Sequence, residues 1–256
     1  MVKGLDSFRR WFAGYEECYA VIGGTACDLI MSETGRDFRA TKDIDLVLII
    51  EALTPEFCAK FWEFVDAGGY EHRSKSDGKP QFYRFSHPSD LSFPAMIELF
   101  SRKDDAIELK EGAVLTPISL EESAASLSAI LLDENYYRFL KRGKYVLEGI
   151  SLLDSSHIIP FKMKAWLDLS KRQKEGESID GRDIRKHRND VFRLAELLSP
   201  GQKIDVSPEI KSDIAEFLKN MKEESIDTSK LGIRVKADEL LKIIAASYGL
   251  DSDIWR

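Results

Sequence analysis

Cysteine and histidine are scarce in this chain of 256 residues, with three of the former and four of the latter. Cys18, Cys27 and Cys58 are odd in number and form no CxxC pair, which argues against a disulfide framework or a cysteine zinc site. The histidines include no pair at i, i+4 and no HExxH, which argues against a zinc hydrolase. We expect reduced thiols in a cytoplasmic protein.

Long apolar runs and an excess of positive charge are also missing. No stretch reaches the length of a membrane span and no apolar segment follows a basic start, so we expect neither a membrane partner nor a signal peptide. The net charge is -7, so any nucleic-acid contact has to come from a local basic surface. The sequence contains no GxSxG, P-loop or GxGxxG motif, which are common signatures of several hydrolase and nucleotide-binding classes.

The hydrophobic content of 43% supports a folded core, and the order of patterns predicts its class. Strands are predicted at residues 18–22, 43–50, 70–73, 81–86 and 95–100, with helices at 25–32 and 54–68. Further β patterns lie at 114–119, 127–132, 136–140 and 144–147, and a turn at 75–80. Helical patterns follow at 155–174, 179–198, 208–222 and 235–248. We predict an α+β protein, with a mixed-sheet α/β domain at 1–153 and a helical domain at 154–256.

A glycine pair, Gly23-Gly24, and an aspartate pair, Asp43 and Asp45, stand in the segment "VIGGTACDLIMSETGRDFRATKDIDLVLII", residues 21–50. Gly23-Gly24 separates a predicted strand from a predicted helix, where backbone N–H groups can approach a phosphate at the positive end of the helix. Asp43 and Asp45 open the next strand, and a spacing of two residues places both carboxylates on the same face. Like charges this close repel each other unless a cation lies between them. The pair therefore predicts a metal site.

A third acid, Glu98, stands inside the apolar strand "PAMIELFSR", and we expect that strand to lie near the aspartates and antiparallel to theirs. Carboxylate oxygens suit Mg²⁺ (or Mn²⁺), which is commonly shared between protein carboxylates and substrate phosphates. We predict Asp43, Asp45 and Glu98 as metal ligands, with Glu98 as the third ligand or as the base. The structural alternative is that Asp43 caps the end of the strand, Asp45 forms a salt bridge with a neighbour, and Glu98 lies on a solvated edge.

The order strand, Gly-Gly, helix, loop and Asp-x-Asp resembles the first motif of the nucleotidyltransferase superfamily. The segment "FRATKDIDLVL" further resembles the R-x-T-x-D-h-D-h stretch of AbiEii-type nucleotidyltransferases, which are toxins of abortive-infection and toxin–antitoxin systems. "PFKMKAWLDLSKR" resembles that family's K-h-x-A…R helix, with Lys162 at the lysine and Ala165 at the small residue. "KHRNDVFRLAELL" resembles its K-D-h-x-D-L helix, with Asp190 at the second acid and His187 in place of the first.

The resemblance, over about residues 19–198, implies an enzyme that transfers NMP from an NTP to an acceptor hydroxyl and releases pyrophosphate. It implies a toxin role, with tRNA or another RNA 3′ end as acceptor and a cognate antitoxin as partner. Lys162 and Asp190 would complete an active site between the two domains. The candidate nucleotide-binding residues are Gly23, Gly24, Thr25, Arg39, Thr41 and Lys42. Transfer to a small molecule or a protein, and a catalytically inactive nucleotide- or partner-binding module, are the alternatives.

Two groups of charged residues allow a structural and a functional interpretation. Basic residues concentrate at 138–144 and along 171–193, where they can hold an RNA backbone with Tyr136 and Tyr137 stacking on bases. The alternative is a solvated helix face balanced by nearby acids. Lys162 can likewise neutralise a triphosphate with help from Asp190, or the two residues can form a pair between packed helices.

Overall fold

The computed structural model describes residues 2–39, 41–72, 82–101, 127, 130–131 and 133–250. The chain divides into two compact units. Unit 1 comprises Met1–Ala124 and Lys144–Asp154, and unit 2 comprises Ala125–Gly143 and Ser155–Arg256. The turn predicted at 75–80 and the strand predicted at 114–119 lie outside the described residues.

Unit 1 is built on a mixed sheet. Its described helices are α1 (Leu5–Trp11), α2 (Gly23–Glu33) and α3 (Pro55–Gly68), with a 3₁₀ helix at Glu16–Cys18. Its described strands are β1 (Tyr19–Ile22), β2 (Asp43–Leu48), β3 (Glu71–His72), β4 (Phe82–Ser86), β5 (Met96–Phe100), β6 (Lys144–Leu147) and β7 (Ile150–Leu153). The strand order is β3-β4-β5-β2-β1-β7-β6, with β2/β5 and β1/β7 parallel and the other neighbours antiparallel. The predicted α+β class with a mixed sheet is therefore confirmed.

Helix α3 shows how local sequence sets the packing of unit 1. The backbone N–H of Phe57 donates to Thr54 Oγ1 at 3.2 Å, and Pro55 occupies the first turn, where its missing N–H costs nothing. At the other end, Gly69 adopts the left-handed conformation with φ of +60° and ends the helix. The apolar face predicted for this helix is buried, and its members are Phe57, Phe61, Phe64 and Val65.

Unit 2 is helical in its described residues. Its helices are α4 (Glu134–Arg142), α5 (Ser155–Lys174), α6 (Gly181–Ala195), α7 (Pro208–Glu223) and α8 (Ala237–Ser247), with a 3₁₀ helix at Thr228–Leu231. The helices predicted from residue 155 onward are confirmed, with ends that differ by up to three residues. Across both units, none of the described helices combines the length and the apolar character that a membrane span requires.

The β pattern predicted at 136–140 is wrong, because these residues belong to helix α4. Asp133 caps this helix, since its carboxylate accepts hydrogen bonds from the N–H groups of Asn135 and Tyr136. The aromatic and aliphatic residues that resemble a strand form the buried face of the helix instead. The strand predicted at 127–132 is wrong as well at its described positions, where Leu127, Ile130 and Leu131 are helical.

Helix α5 continues through Pro160, which is its sixth residue. A proline has no N–H, so the Ser156 carbonyl, four residues earlier, lacks its helical donor. The hydroxyl of Tyr248, the residue that follows α8, donates to this carbonyl at 2.5 Å. A side chain from the last described helix region thus replaces the backbone hydrogen bond that the proline removes.

Candidate active site

The strand register of unit 1 aligns three charged residues on neighbouring strands. Arg84 of β4 lies opposite Glu98 of β5, and Glu98 lies opposite Asp45 of β2. Residues directly opposite each other on adjacent strands project from the same face of the sheet. We call Arg84, Glu98 and Asp45 the charged row.

The direction predicted for the strand of Glu98 is wrong, because β5 runs parallel to β2. Helix α3 lies between these strands in the chain, and a crossover of this length allows neighbouring strands to run parallel. The predicted proximity of Glu98 to the aspartates nevertheless holds, since the register pairs Glu98 with Asp45.

Asp43 and Asp45 occupy the two partly exposed positions at the start of β2. Ile44 and Leu46, which alternate with them, are fully buried. Because side chains alternate along a strand, the apolar pair points into the core and the acidic pair shares the opposite face. Both carboxylates thus remain accessible while their strand stays in the centre of the sheet.

The Gly23-Gly24 turn lies directly against Asp45. Gly23 has φ of +68°, in the left-handed region that favours glycine. A Cβ on Gly23 would lie 1.7 Å from Oδ2 of Asp45, so only glycine permits this approach. A Cβ on Gly24 would lie 2.8 Å from Oγ1 of Thr41 and 3.3 Å from Nη2 of Arg39. The turn therefore brings four predicted nucleotide-binding residues into one place beside Asp45.

The two remaining predicted nucleotide-binding residues lie beside Asp43. Thr25 is buried, and its hydroxyl donates to the backbone carbonyl of Asp43 at 2.5 Å, which ties helix α2 to the start of β2. Lys42 precedes Asp43 in the chain and is exposed. Thr25 thus helps to fix the start of β2, whereas the Lys42 ammonium is accessible from solvent.

The carboxylate of Glu98 is enclosed and bound by Arg84. The guanidinium Nε donates a hydrogen bond to Glu98 Oε1 at 2.8 Å, and Nη2 lies at salt-bridge distance, 2.6 Å, from the same oxygen. Only 10% of the Arg84 side chain and 11% of the Glu98 side chain are exposed. Burial raises the pKa of the Glu98 carboxyl to about 8, the charge and hydrogen bond of Asp45 add to the rise, and Arg84 opposes it. Asp45 and Glu98 are therefore a strongly interacting pair of acids.

Arg84 is a site residue that the sequence reasoning missed. It stands in the middle of the apolar strand "FYRFS", which is the same signal that indicated Glu98 in "MIELF". A buried guanidinium requires an acidic partner. The sequence contains both halves of this pair, but the register that joins them depends on the folded sheet.

The donor set of β2 fits a Mg²⁺ ion. Asp43 and Asp45 offer carboxylate oxygens on one accessible face, and Mg²⁺ is usually held by one or two carboxylates together with substrate phosphates. No group of three or more His, Cys, Asp or Glu side chains with metal-ligand geometry occurs in the part of the chain that the structure describes. The fit is therefore to an ion that two carboxylates share with substrate oxygens.

Lys162 of α5 and Asp190 of α6 meet inside unit 2. Lys162 Nζ lies 3.1 Å from Asp190 Oδ2, with 7% and 0% of the two side chains exposed. Arg193 Nη1 lies 3.6 Å from the other oxygen, Oδ1, of Asp190. We call Lys162, Asp190 and Arg193 the helix cluster. The enclosed carboxylate of Asp190 lies between two cations, which is the arrangement expected for a structural pair between packed helices.

Several cations of the predicted RNA-binding stripe have acidic partners within unit 2. The closest pairs are Arg172 with Glu177, Arg182 with Asp180 and Arg188 with Glu224, at 2.5–2.7 Å. Tyr136 and Tyr137 are buried, with 2% and 0% exposed, so the expectation that they stack on bases is wrong. They form the inner face of α4, where the Tyr136 hydroxyl donates to Asp213 at 2.9 Å.

Comparisons of the sequence with protein-family models and with curated proteins find no match.

Proposed function

We propose that the protein is a metal-dependent nucleotidyltransferase that moves NMP from an NTP to an acceptor hydroxyl. The observation that carries the proposal is the juxtaposition of Asp43 and Asp45, on the accessible face of β2, with the Gly23-Gly24 turn. In this reaction the acceptor oxygen forms a bond to the α-phosphorus, and the bond to the bridging oxygen of pyrophosphate breaks. The acceptor loses its proton and pyrophosphate leaves with the displaced electron pair.

Each group at this position has a part in such a reaction. Asp43 and Asp45 would hold Mg²⁺, which when bound supplies positive charge to the phosphate oxygens and makes a coordinated hydroxyl more acidic. Gly23 and Gly24 are the first residues of α2, an 11-residue helix, and the N-terminus of a helix favours the binding of phosphate by backbone N–H groups. Arg39, together with the exposed Lys42, would neutralise phosphate charge. Catalysis of this type depends mainly on positioning and electrostatics.

The resemblance to AbiEii-type nucleotidyltransferases supports an RNA 3′ end, such as that of tRNA, as the acceptor. It also supports a toxin role with a cognate antitoxin. A hydroxyl of a small molecule or a protein is the alternative acceptor. The contribution of Lys162 and Asp190 to transfer stays a prediction, because their pair is enclosed within unit 2.

A catalytically inactive nucleotide-binding module is the second candidate, and one observation favours it. Arg84 places a fixed cation against Glu98, so part of the acidic charge in the row is compensated without a metal. A protein that had lost catalysis would keep the phosphate-facing turn and still bind NTP. The two candidates therefore differ in turnover rather than in binding.

Transfer of label from α-³²P-labelled NTPs tests the proposal. The purified chain is incubated with each NTP, Mg²⁺ and, separately, total RNA, small hydroxyl compounds and a protein extract. We expect labelled acceptor that depends on Mg²⁺ and is lost in Asp45→Asn, while Glu63→Gln, at an exposed acid of α3, retains activity. NTP binding without any labelled acceptor would favour the inactive module. Neither binding nor transfer would contradict both candidates.

A further inference from the structure

We propose that Arg84 and Glu98 form a positioning pair that orients Asp45, and that Glu98 is neither the base nor a metal ligand. The inference rests on the proposed function and specifies which carboxylates of that site touch metal and substrate. Asp43 and Asp45 would touch the metal and the substrate directly. Arg84 and Glu98 would act only by holding Asp45 in place.

The first argument is the occupancy of the Glu98 carboxylate. The Nε hydrogen bond and the Nη2 ion-pair contact of Arg84 both end on Oε1 of Glu98, at 2.8 and 2.6 Å. A rigid guanidinium fork leaves little freedom to the group that it holds. Only 11% of the Glu98 side chain is exposed, so a metal ion or an acceptor hydroxyl has little access to this carboxylate. Asp43 and Asp45 are more accessible, since both are only partly buried.

The second argument is charge. A guanidinium bound to Glu98 repels a further cation at that carboxylate and cancels much of its attraction for a metal. Asp45 lies one strand farther from Arg84, because β5 separates β2 from β4. The row thus places positive charge at one end and an accessible carboxylate at the other.

The third argument is the set of contacts on Asp45. Its Oδ2 lies where a Cβ of Gly23 would be, so the turn limits the side chain on one side. Its hydrogen-bonding contact with Glu98 limits it on the other side. Groups that hold a metal-binding side chain in place commonly contribute about 10–100-fold to metal affinity or activity. Arg84 and Glu98 occupy this position relative to Asp45.

The variant that separates the roles is Glu98→Gln. A glutamine oxygen still accepts from Arg84 and its amide still donates to Asp45, but the side chain is neither a base nor a good Mg²⁺ ligand. We expect kcat and the affinity for Mn²⁺, measured by electron paramagnetic resonance, to change by less than about tenfold, the lower limit for losing a supporting contact. Glu98→Ala, which removes both contacts, should lower kcat by about 10–100-fold with an unchanged KM for NTP.

Arg84 provides the second comparison. Arg84→Lys keeps the charge and one donor and should retain part of the activity, whereas Arg84→Met should lose as much kcat as Glu98→Ala. Arg84→Met alone leaves the buried Glu98 carboxylate without its cation. The double variant Arg84→Met/Glu98→Gln removes that carboxylate as well, so it should melt near wild type but keep a lowered kcat. Recovery of kcat together with stability in that double variant would show a merely structural pair and overturn the proposal.

Other outcomes are equally decisive. A loss in Glu98→Gln as large as in Asp45→Asn, in either kcat or Mn²⁺ affinity, would make Glu98 a ligand or base and overturn the inference. If wild type binds Mn²⁺ but transfers no label, the proposed function fails. The positioning role is still supported in that case if Glu98→Gln binds Mn²⁺ like wild type and Glu98→Ala loses this binding. Absence of Mn²⁺ binding in wild type would overturn both.

Discussion

The charged row of unit 1 and the helix cluster of unit 2 use similar residue types in opposite ways. Each combines carboxylates with arginine or lysine at salt-bridge distance. In the helix cluster the only carboxylate, Asp190, is completely enclosed and holds two cations. In the charged row the cation of Arg84 is paired with Glu98, and Asp45, on the side away from that cation, is partly exposed.

The difference concerns access to the carboxylates. Asp190 is fully buried and held by two cations, so it mainly joins α5 to α6. Asp45 is partly exposed, as is Asp43 two residues before it, so a ligand can reach both carboxylates from solvent. The accessibility of Asp45, rather than the presence of charge, therefore marks the charged row as part of the candidate binding site.

The largest expected effect is on stability, in the helix cluster. Asp190→Leu should destabilise unit 2 by about 3–5 kcal/mol, because it removes the carboxylate that pairs with the buried ammonium of Lys162. Hydrogen exchange of α5 and α6 measures this loss locally. The double variant Lys162→Met/Asp190→Leu should recover much of the stability. If the recovered variant transfers NMP at the wild-type rate, the pair is structural; a folded variant without activity would instead give Lys162 a catalytic part.

The next effect is on transfer, in unit 1. Asp45→Asn and Asp43→Asn should each lower kcat by on the order of 10²–10³-fold, the scale for removing a preorganised electrostatic group. Their melting temperatures without metal should equal or exceed that of wild type, since repulsion between acids is relieved. Labelled transfer and thermal unfolding, run beside Glu63→Gln, provide the measurement. Wild-type transfer in both variants would contradict the assignment.

A third prediction concerns pH without divalent metal. Because the folded pKa of Glu98 is raised to about 8 from an ordinary value of 4.5, the folded state binds more protons than the unfolded state between these values. The free energy of unfolding should therefore fall as pH rises through this window. Glu98→Gln should show a weaker decline in urea denaturation series at pH 5 to 8. Identical slopes for the two proteins would argue that burial and Asp45 do not raise the pKa of Glu98.

The smallest effect belongs to the helix that carries Lys162. Tyr248→Phe leaves the Ser156 carbonyl without its donor and should cost about 1–3 kcal/mol. In a Pro160→Ala background the backbone N–H is restored, so the same change should cost less. A double-mutant cycle by denaturation measures the coupling. A coupling energy of zero would mean that the hydroxyl does not substitute for the missing helical hydrogen bond.

Local signals account for the elements that could be predicted from sequence. Thr54-Pro55 and Gly68-Gly69 set the ends of α3 because capping depends on a few neighbouring residues. The same kind of signal is present at α4, where Asp133 caps the helix, but the run of aromatic residues that follows it also fits the pattern of a strand.

The parts of the site that could not be predicted depend on contacts between distant segments. Asp43 and Asp45 are two residues apart, so strand geometry alone places them on one face. Arg84, Glu98 and Asp45 become neighbours only through the pairing of three strands, and the parallel direction of β5 follows from a crossover. Hydrophobic periodicity identifies each strand but carries no information about which strand lies beside it.

Binding of Mn²⁺ in the presence of a non-hydrolysable NTP analogue tests the central claim most directly. Electron paramagnetic resonance counts bound Mn²⁺ without requiring an acceptor or turnover. We predict nucleotide-dependent Mn²⁺ binding to wild type and to Glu63→Gln, and its loss in the double variant Asp43→Asn/Asp45→Asn with the fold intact. Equal Mn²⁺ binding by wild type and the double variant, or none by either, would contradict a metal-dependent nucleotide site at the start of β2.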